Sequence, residues 1–381
     1  MRRLPTRRKS YLFELNSTVG RRPTSGLMEN SNEIRYSPET PLDELMQGVE
    51  AREPEALREL AWRYRDGDGG VERNPRKAVQ IFERLAKTGM AKAFVDLAAC
   101  YEDGVGVKRD LAVAARYLRK GVDLGDSYAA IQLGAMYLQS RGVKKSANAA
   151  FRLFCKAKKA RNPHSIYPLA HCYLKGEGTK QDYAEAKSYF EAAVRFGYDF
   201  AYIDLGRIYR DGLGVEPDFT KALECFEAAI DKECWEAYTE LAMLYVDGLG
   251  VEKDESRAFE LLRLGNERGA TSVLCPLAEC YDYGFGCECD KAQAIEYYRM
   301  AEANGSEIAR KRLRELEAVA AVDNELDGLE EIIVRATDEY LANHSGSIDF
   351  ADIMANTSIH LVEAVDDGAE ESQDEVERDT V

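Results

Sequence analysis

AYIDLGRIYRDGLGVEPDFTKALECFEAAIDKECWE, residues 201–236, contains one tyrosine whose recurrence decides the fold. Tyr209 belongs to a series, Tyr64, Tyr101, Tyr137, Tyr173, Tyr209, Tyr245 and Tyr281, spaced by 37 residues once and by 36 five times. Self-similarity at such a period marks an array of stacked supersecondary units. An array grows by adding units, so the 381 residues count repeats and not compact domains.

Each unit opens with Ala-x3-Leu-(Ala/Gly)-x2-Tyr, as in Ala93, Leu97, Ala98 and Tyr101. That spacing places the four residues on one face of a helix, here termed A. The small residue beside the Leu lets a second helix approach closely, and the Tyr supplies bulk alongside. Three positions after six of the seven Tyr stands a glycine (Gly67, Gly104, Gly176, Gly212, Gly248, Gly284), often followed by x-Gly-Val. It ends helix A, and the Val plugs the hairpin. Helix B follows an Asp-type cap and carries Ala-x3-(Phe/Tyr/Leu), as in Ala222 and Phe226. Gly89, Gly125, Gly197, Gly269 or Gly305 closes it, whereas repeats three and five have Arg161 and Glu233, so those links are expected to be less tightly specified.

The expected fold is all-α: a right-handed α-solenoid of about seven 36-residue helix-turn-helix repeats with capping helices. Residues 1–38 read as a disordered basic leader, in which Met28 offers an alternative start. Residues 39–54 form an N-terminal cap helix with Leu42, Leu45, Met46 and Val49 on one stripe. The repeats occupy 55–308, capping and accessory helices 309–365, and a disordered acidic tail 366–381.

The net charge of −17 is split between a leader at +6 over residues 1–27, a tail at −7 over 366–381, and an acidic body. Such a body repels phosphate backbones, so the folded region is read as binding protein or peptide, basic or mixed, and not nucleic acid. No run of 18 apolar residues is present, so no membrane insertion is expected. Nine irregularly spaced cysteines fit a reducing compartment, and the chain is expected to be cytoplasmic.

With these elements in one frame, the repeat resembles the Sel-one-like repeat family, over residues 55 to about 308. Repeat five carries the pattern best, in Leu205, Gly206, Tyr209, Gly212, Gly214, Val215, Asp218, Lys221, Ala222, Phe226 and Ala229. The resemblance implies a tetratricopeptide-like superhelix and the role of an adaptor that assembles protein complexes. Some secreted members hold each repeat with a disulfide. Here Cys100, Cys172 and Cys280 precede the repeat Tyr without a regular second cysteine, and they read as core packing.

Little supports catalysis, and no cofactor is expected. Cys275, Cys280, Cys287 and Cys289 cluster locally but lack a Cys-x2-Cys pair. The alternative reading is a secreted or envelope-associated repeat protein with a regulatory ligand or metal near those cysteines. No Asp-Gly-x-Gly turn continues into Gly-Lys-Ser/Thr, and His164, His171, His344 and His360 make no i, i+4 pair. The preferred site lies on helix A five and two residues before the Tyr, in positions expected to avoid the core and line a concave groove. The residues singled out are Glu59, Trp62, Asp96, Gln132, His171, Asp204, Arg207 and Glu240. Glu59, Asp96, Asp204 and Glu240 would form an acidic ladder, and Trp62 an aromatic anchor.

Overall fold

The computed structural model describes residues 36–316 together with 318, 334 and 335, and every regular element among them is helical. Residues 1–35 of the leader, the accessory region beyond residue 318 other than 334 and 335, and the acidic tail lie outside the described residues. The leader's last three residues, read as disordered, are corrected: Tyr36 is buried and the Ser37 and Pro38 carbonyls accept from Arg63. A short helix, Leu42–Glu50, precedes the hairpins. Helices A and B are Pro54–Asp66 and Pro75–Lys87 in repeat one, Ala91–Asp103 and Leu111–Asp123 in two, and Ser127–Gln139 and Ala147–Lys159 in three. They are Ile166–Lys175 and Tyr183–Arg195 in four, Ala201–Asp211 and Phe219–Asp231 in five, Ala237–Asp247 and Glu255–Glu267 in six, and Leu274–Tyr283 and Lys291–Ala303 in seven. The chain divides into two compact units, the first running to Leu277 with Phe285–Cys287, the second comprising Ala278–Gly284 and the residues from Glu288 onward.

The repeat Tyr organises each hairpin through its backbone as well as its ring. Its carbonyl accepts the amide of the residue that caps helix B, as in Asp110 to Tyr101 at 2.8 Å and Asp218 to Tyr209 at 2.9 Å. The same Asp side chain accepts from the third amide of the helix, Val113 to Asp110 at 2.9 Å, satisfying a donor that no helical carbonyl reaches. The cap thus fixes where helix B starts and how it meets helix A.

Inside the hairpin, small faces large as the pattern requires. A Cβ added at Gly206 would lie 2.4 Å from the Phe226 ring, and one at Gly134 would lie 2.5 Å from Phe154. Phe82, Phe154, Phe190 and Phe226 are all fully buried. The repeat tyrosines themselves are half-buried. Tyr101 packs 5.4 Å from Tyr117, and Tyr173 stacks 5.5 Å from Tyr189. The Lys of the Lys-Ala motif covers the ring, Lys77 lying 4.1 Å from the Tyr64 centroid.

Stacking of one hairpin on the next depends on the second glycine of the turn. A Cβ on Gly106 would stand 2.3 Å from the Pro75 carbonyl oxygen, at the first turn of the preceding helix B, and Gly142 repeats this against Leu111 at 2.2 Å. Only a residue without a side chain permits that approach.

The expectation of looser links after repeats three and five is corrected. Arg161 and Glu233 adopt φ of 58° and 60°, the left-handed conformation held elsewhere by glycine. The following amides close the same turns, Asn162 to Ala157 at 3.1 Å and Cys234 to Ala229 at 2.9 Å. Hydrogen bonding overrides side-chain preference at both places.

The N-terminal segment is fixed by a charge that the apolar stripe did not foretell. Arg63 is fully buried and donates to Glu59 Oε1 at 3.1 Å and to the Ser37 and Pro38 carbonyls at 3.3 and 3.4 Å. Leu45 fills the pocket beside it, with Tyr36, Ala56 and Leu60. In the second unit, helical residues 307–316 bury Ala309, Leu313 and Leu316.

Candidate partner-binding surface

The expected exposure of the helix A positions is corrected for most of them. Glu59, Trp62, Asp96, Gln132, His171 and Asp204 are buried, Glu240 is half-buried, and only Arg207 stands well in solvent. The reason is lateral packing: the position five residues before the Tyr faces the helix A of an adjoining repeat. The acids there are consumed as ties. Asp96 accepts two hydrogen bonds from Arg58 of repeat one, and Glu240 accepts from Arg207 at 2.8 Å and Arg210 at 2.6 Å of repeat five. Glu59 meets Arg63 within its own helix. A row of neutralised carboxylates is not an exposed acidic ladder.

Asp204, His171, Arg207 and Glu240 join one network. Tyr167 donates to Asp204 Oδ2 at 2.8 Å, and His171 Nε2 lies 3.3 Å from the same oxygen. Burial acts to raise the Asp204 pKa, but His171, Tyr167 and Arg207 outweigh it and hold the carboxyl below its usual range. Arg207 is 3.8 Å from Asp204 Oδ1, so the guanidinium bridges two acids of successive repeats. Glu59, Trp62 and Asp96 belong to the separate contacts of repeats one and two.

Trp62 is a packing residue and not an exposed anchor. Its ring meets Phe82 edge-on at 5.9 Å, and the Arg65 guanidinium lies 4.7 Å from its centroid. Among the described residues the buried indole Nε1 has no hydrogen-bond partner, nor has Gln132 Oε1.

The register two residues before the Tyr changes character along the chain. Trp62, Ala99, Ala135 and His171 are buried in repeats one to four, whereas Arg207 is 46% and Met243 41% exposed in repeats five and six. Here the A face presents an apolar side chain and, one repeat earlier, a guanidinium fixed on one edge by Glu240.

Among the described residues no group of three or more His, Cys, Asp or Glu is arranged to hold a metal ion. The nine cysteines form no disulfide. Burial pushes the Cys100 and Cys172 thiols up to about 12 and Cys225 to about 11, which withholds the thiolate that nucleophilic chemistry needs.

A second surface escaped the sequence reading. Between Asp126 and Glu177 there is no acidic residue, while nine Lys and Arg occur in residues 127–176. In helix B of repeat three, Arg152, Lys156 and Lys159 stand at i, i+4 and i+7 and are exposed. The matching positions of repeat five are Glu224, Ala228 and Asp231. The net charge averaged over the chain hid this, although the absence of acids was there to be seen.

Comparison with known proteins accords with the repeat pattern. The family model described as the Sel1 repeat matches residues 54–89, 92–126, 127–162, 163–195, 199–234, 235–269 and 275–306. The solved structure of a protective antigen present in uropathogenic Escherichia coli strains, described as displaying an SLR fold, is similar with a TM-score of 0.58 and 26% identity, over 73% of this chain and 59% of that one. The chain thus spans about three fifths of that protein's length. A Sel1 repeat protein from Oxalobacter formigenes is similar with a TM-score of 0.56 and 22% identity, over 68% of this chain and 96% of that one, a likeness of fold alone. No curated protein matches the sequence.

Proposed function

This chain belongs to the Sel1 repeat family, and on that premise we propose that it is a non-catalytic scaffold that holds a partner protein or peptide against its A helices. The observation that carries this reading is the opening of the A face in repeats five and six, where Arg207 and Met243 are exposed while their counterparts in repeats one to four are covered. An exposed apolar side chain in the register that holds, one repeat earlier, a guanidinium bound to two acids offers an anchor and an orienting charge. The partner is mixed in character, since the acids expected to select a basic ligand are already paired. Nine cysteines without a disulfide support a reducing compartment such as the cytoplasm.

The test is quantitative co-purification with the full chain and its Met243→Asp and Arg207→Glu variants, with Met46→Asp as the exposed apolar control. The proposal expects a defined subset of partners to fall at least about fivefold with the first two variants and to hold with the control. Equal recovery from all four proteins would remove the A face of repeats five and six from consideration.

A further inference from the structure

We propose that the B-helix face of repeats two and three is a docking surface for an acidic segment of a partner protein. This surface lies apart from the A face discussed above, and it stands or falls independently of it.

Charge is the first argument. In a chain of net charge −17, fifty consecutive residues carry nine cations and no acid. Arg152, Lys156 and Lys159 line the outer stripe of helix Ala147–Lys159, and Arg116 and Lys120 occupy the matching positions of repeat two. None of these five has an ion-pair partner among the described residues. In other repeats some helix B charges are matched locally, as Lys187 is with Glu191 and Arg263 with Glu260 and Glu267.

Two local rules are broken at the same place, and both breaches add positive charge. Lys144 and Lys145 immediately precede the start of helix B, where the helix end is itself positive and anionic side chains are favoured. Repeats two, four, five, six and seven cap that end with Asp, but repeat three caps it with Ser146, removing the counter-charge. At the other end, Arg161 sits at φ 58°, where glycine would be free of strain. Local stability does not account for the cations at the start of the helix, whereas an anionic ligand lying along it does.

The dimensions favour a short acidic peptide over nucleic acid. A 13-residue helix is about 20 Å long, the length of about six extended residues. Along the chain the acid-free stretch is bounded by Asp126 before it and Glu177 after it. No aromatic ring is among the exposed large apolar side chains of repeats one to three, so unpaired bases have no platform to stack on.

The experiment is fluorescence anisotropy on the full chain, with a short glutamate-rich synthetic peptide as probe. Its glutamine counterpart and a single-stranded oligonucleotide of equal charge serve as comparison ligands. The proposal expects saturable one-to-one binding of the glutamate peptide at about 50 mM salt, weakening toward about 200 mM as charges are screened. The triple variant Arg152→Gln, Lys156→Gln, Lys159→Gln should lose at least about tenfold in affinity with its thermal midpoint kept. Replacing Lys156 and Lys159 by Arg should retain binding, as should Lys253→Gln with Arg257→Gln in repeat six. The proposal is overturned if the glutamine peptide binds equally, if the oligonucleotide binds more tightly, or if the repeat-six variant loses as much. It is also overturned if the peptide binds only after the acids of 366–381 are changed to amides, which makes the chain's own acidic stretch the occupant. A salt-sensitive dimer abolished by the triple variant would instead assign the face to a second copy, and overturns it too.

Discussion

Arg58 holds Asp96 in a two-pronged grip, Nε to Oδ2 at 2.6 Å and Nη2 to Oδ1 at 2.8 Å, reaching from helix A of repeat one to helix A of repeat two. Asp96 is 1% exposed, so its charge relies on that guanidinium. Arg58→Ala leaves a buried carboxylate uncompensated and is expected to cost about 3 kcal/mol. Replacing both residues, Arg58→Met with Asp96→Leu, is expected to stay within about 1 kcal/mol of the parent, since neither charge is then stranded. Urea unfolding of the two variants checks this, and equal losses would show that the pair matters for shape and not for charge.

Gly106 and Gly89 both have positive φ, 77° and 86°, but in different surroundings. An alanine Cβ at 106 meets the Pro75 carbonyl oxygen at 2.3 Å, while at 89 nothing lies within 4 Å. Gly89→Ala should therefore cost only the left-handed backbone, about 1 kcal/mol. Gly106→Ala adds an overpacking term and should cost about 3 kcal/mol or more. Thermal midpoints that fall by the same amount in both would mean that the hairpins do not depend on this approach for stacking.

Arg161 and Glu233 run the other way. Each holds the left-handed conformation with a Cβ, at φ of 58° and 60°, in a turn that the other repeats close with glycine. Glu233→Gly should stabilise by about 0.5–1 kcal/mol, since strain is relieved and a solvated side chain is removed. Arg161→Gly should do the same for stability while removing one cation from the basic face. A drop in the unfolding midpoint for Glu233→Gly would show that its side chain makes a contribution larger than the strain.

The fold was legible because its determinants are local and recur. The Ala, Leu and Tyr of helix A, the paired glycines and the Asp cap each occupy a fixed register, and a 36-residue period makes every copy corroborate the others. The exposure of Glu59, Asp96 and Asp204 was not legible in the same way. A one-helix reading places them off the stripe of Ala, Leu and Tyr, but an array buries two faces of helix A, one within its hairpin and one against the neighbouring repeat. The partners that neutralise them, Arg58, Arg63, Tyr167 and His171, do not recur with the motif. The basic face of repeat three was missed for the opposite reason: it is a departure from the repeat, and a search for what recurs passes over it.

Asp282 is the carboxylate of the second unit most exposed to a pH test. It is buried, it accepts from Arg312 Nε at 2.8 Å and Lys291 Nζ at 2.7 Å, and the Tyr298 hydroxyl lies 3.4 Å away. Burial acts to raise its pKa, but the hydrogen bonds and charges of Arg312 and Lys291 outweigh it and bring the value below the ordinary one. A folded-state pKa below the unfolded one means that the unfolded chain takes up the proton first. The stabilisation is then fully present above the unfolded value of about 3.9 and is lost as pH falls through the folded value. Asp282→Asn should cost about 2 kcal/mol at neutral pH, a figure kept modest because Arg312 and Lys291 are 28% and 56% exposed. The gap between parent and variant should narrow as pH falls below about 3.9, read by hydrogen exchange of helix Lys291–Ala303. A gap that stays constant as the pH is lowered would mean that the carboxylate is not the ionised anchor of this unit.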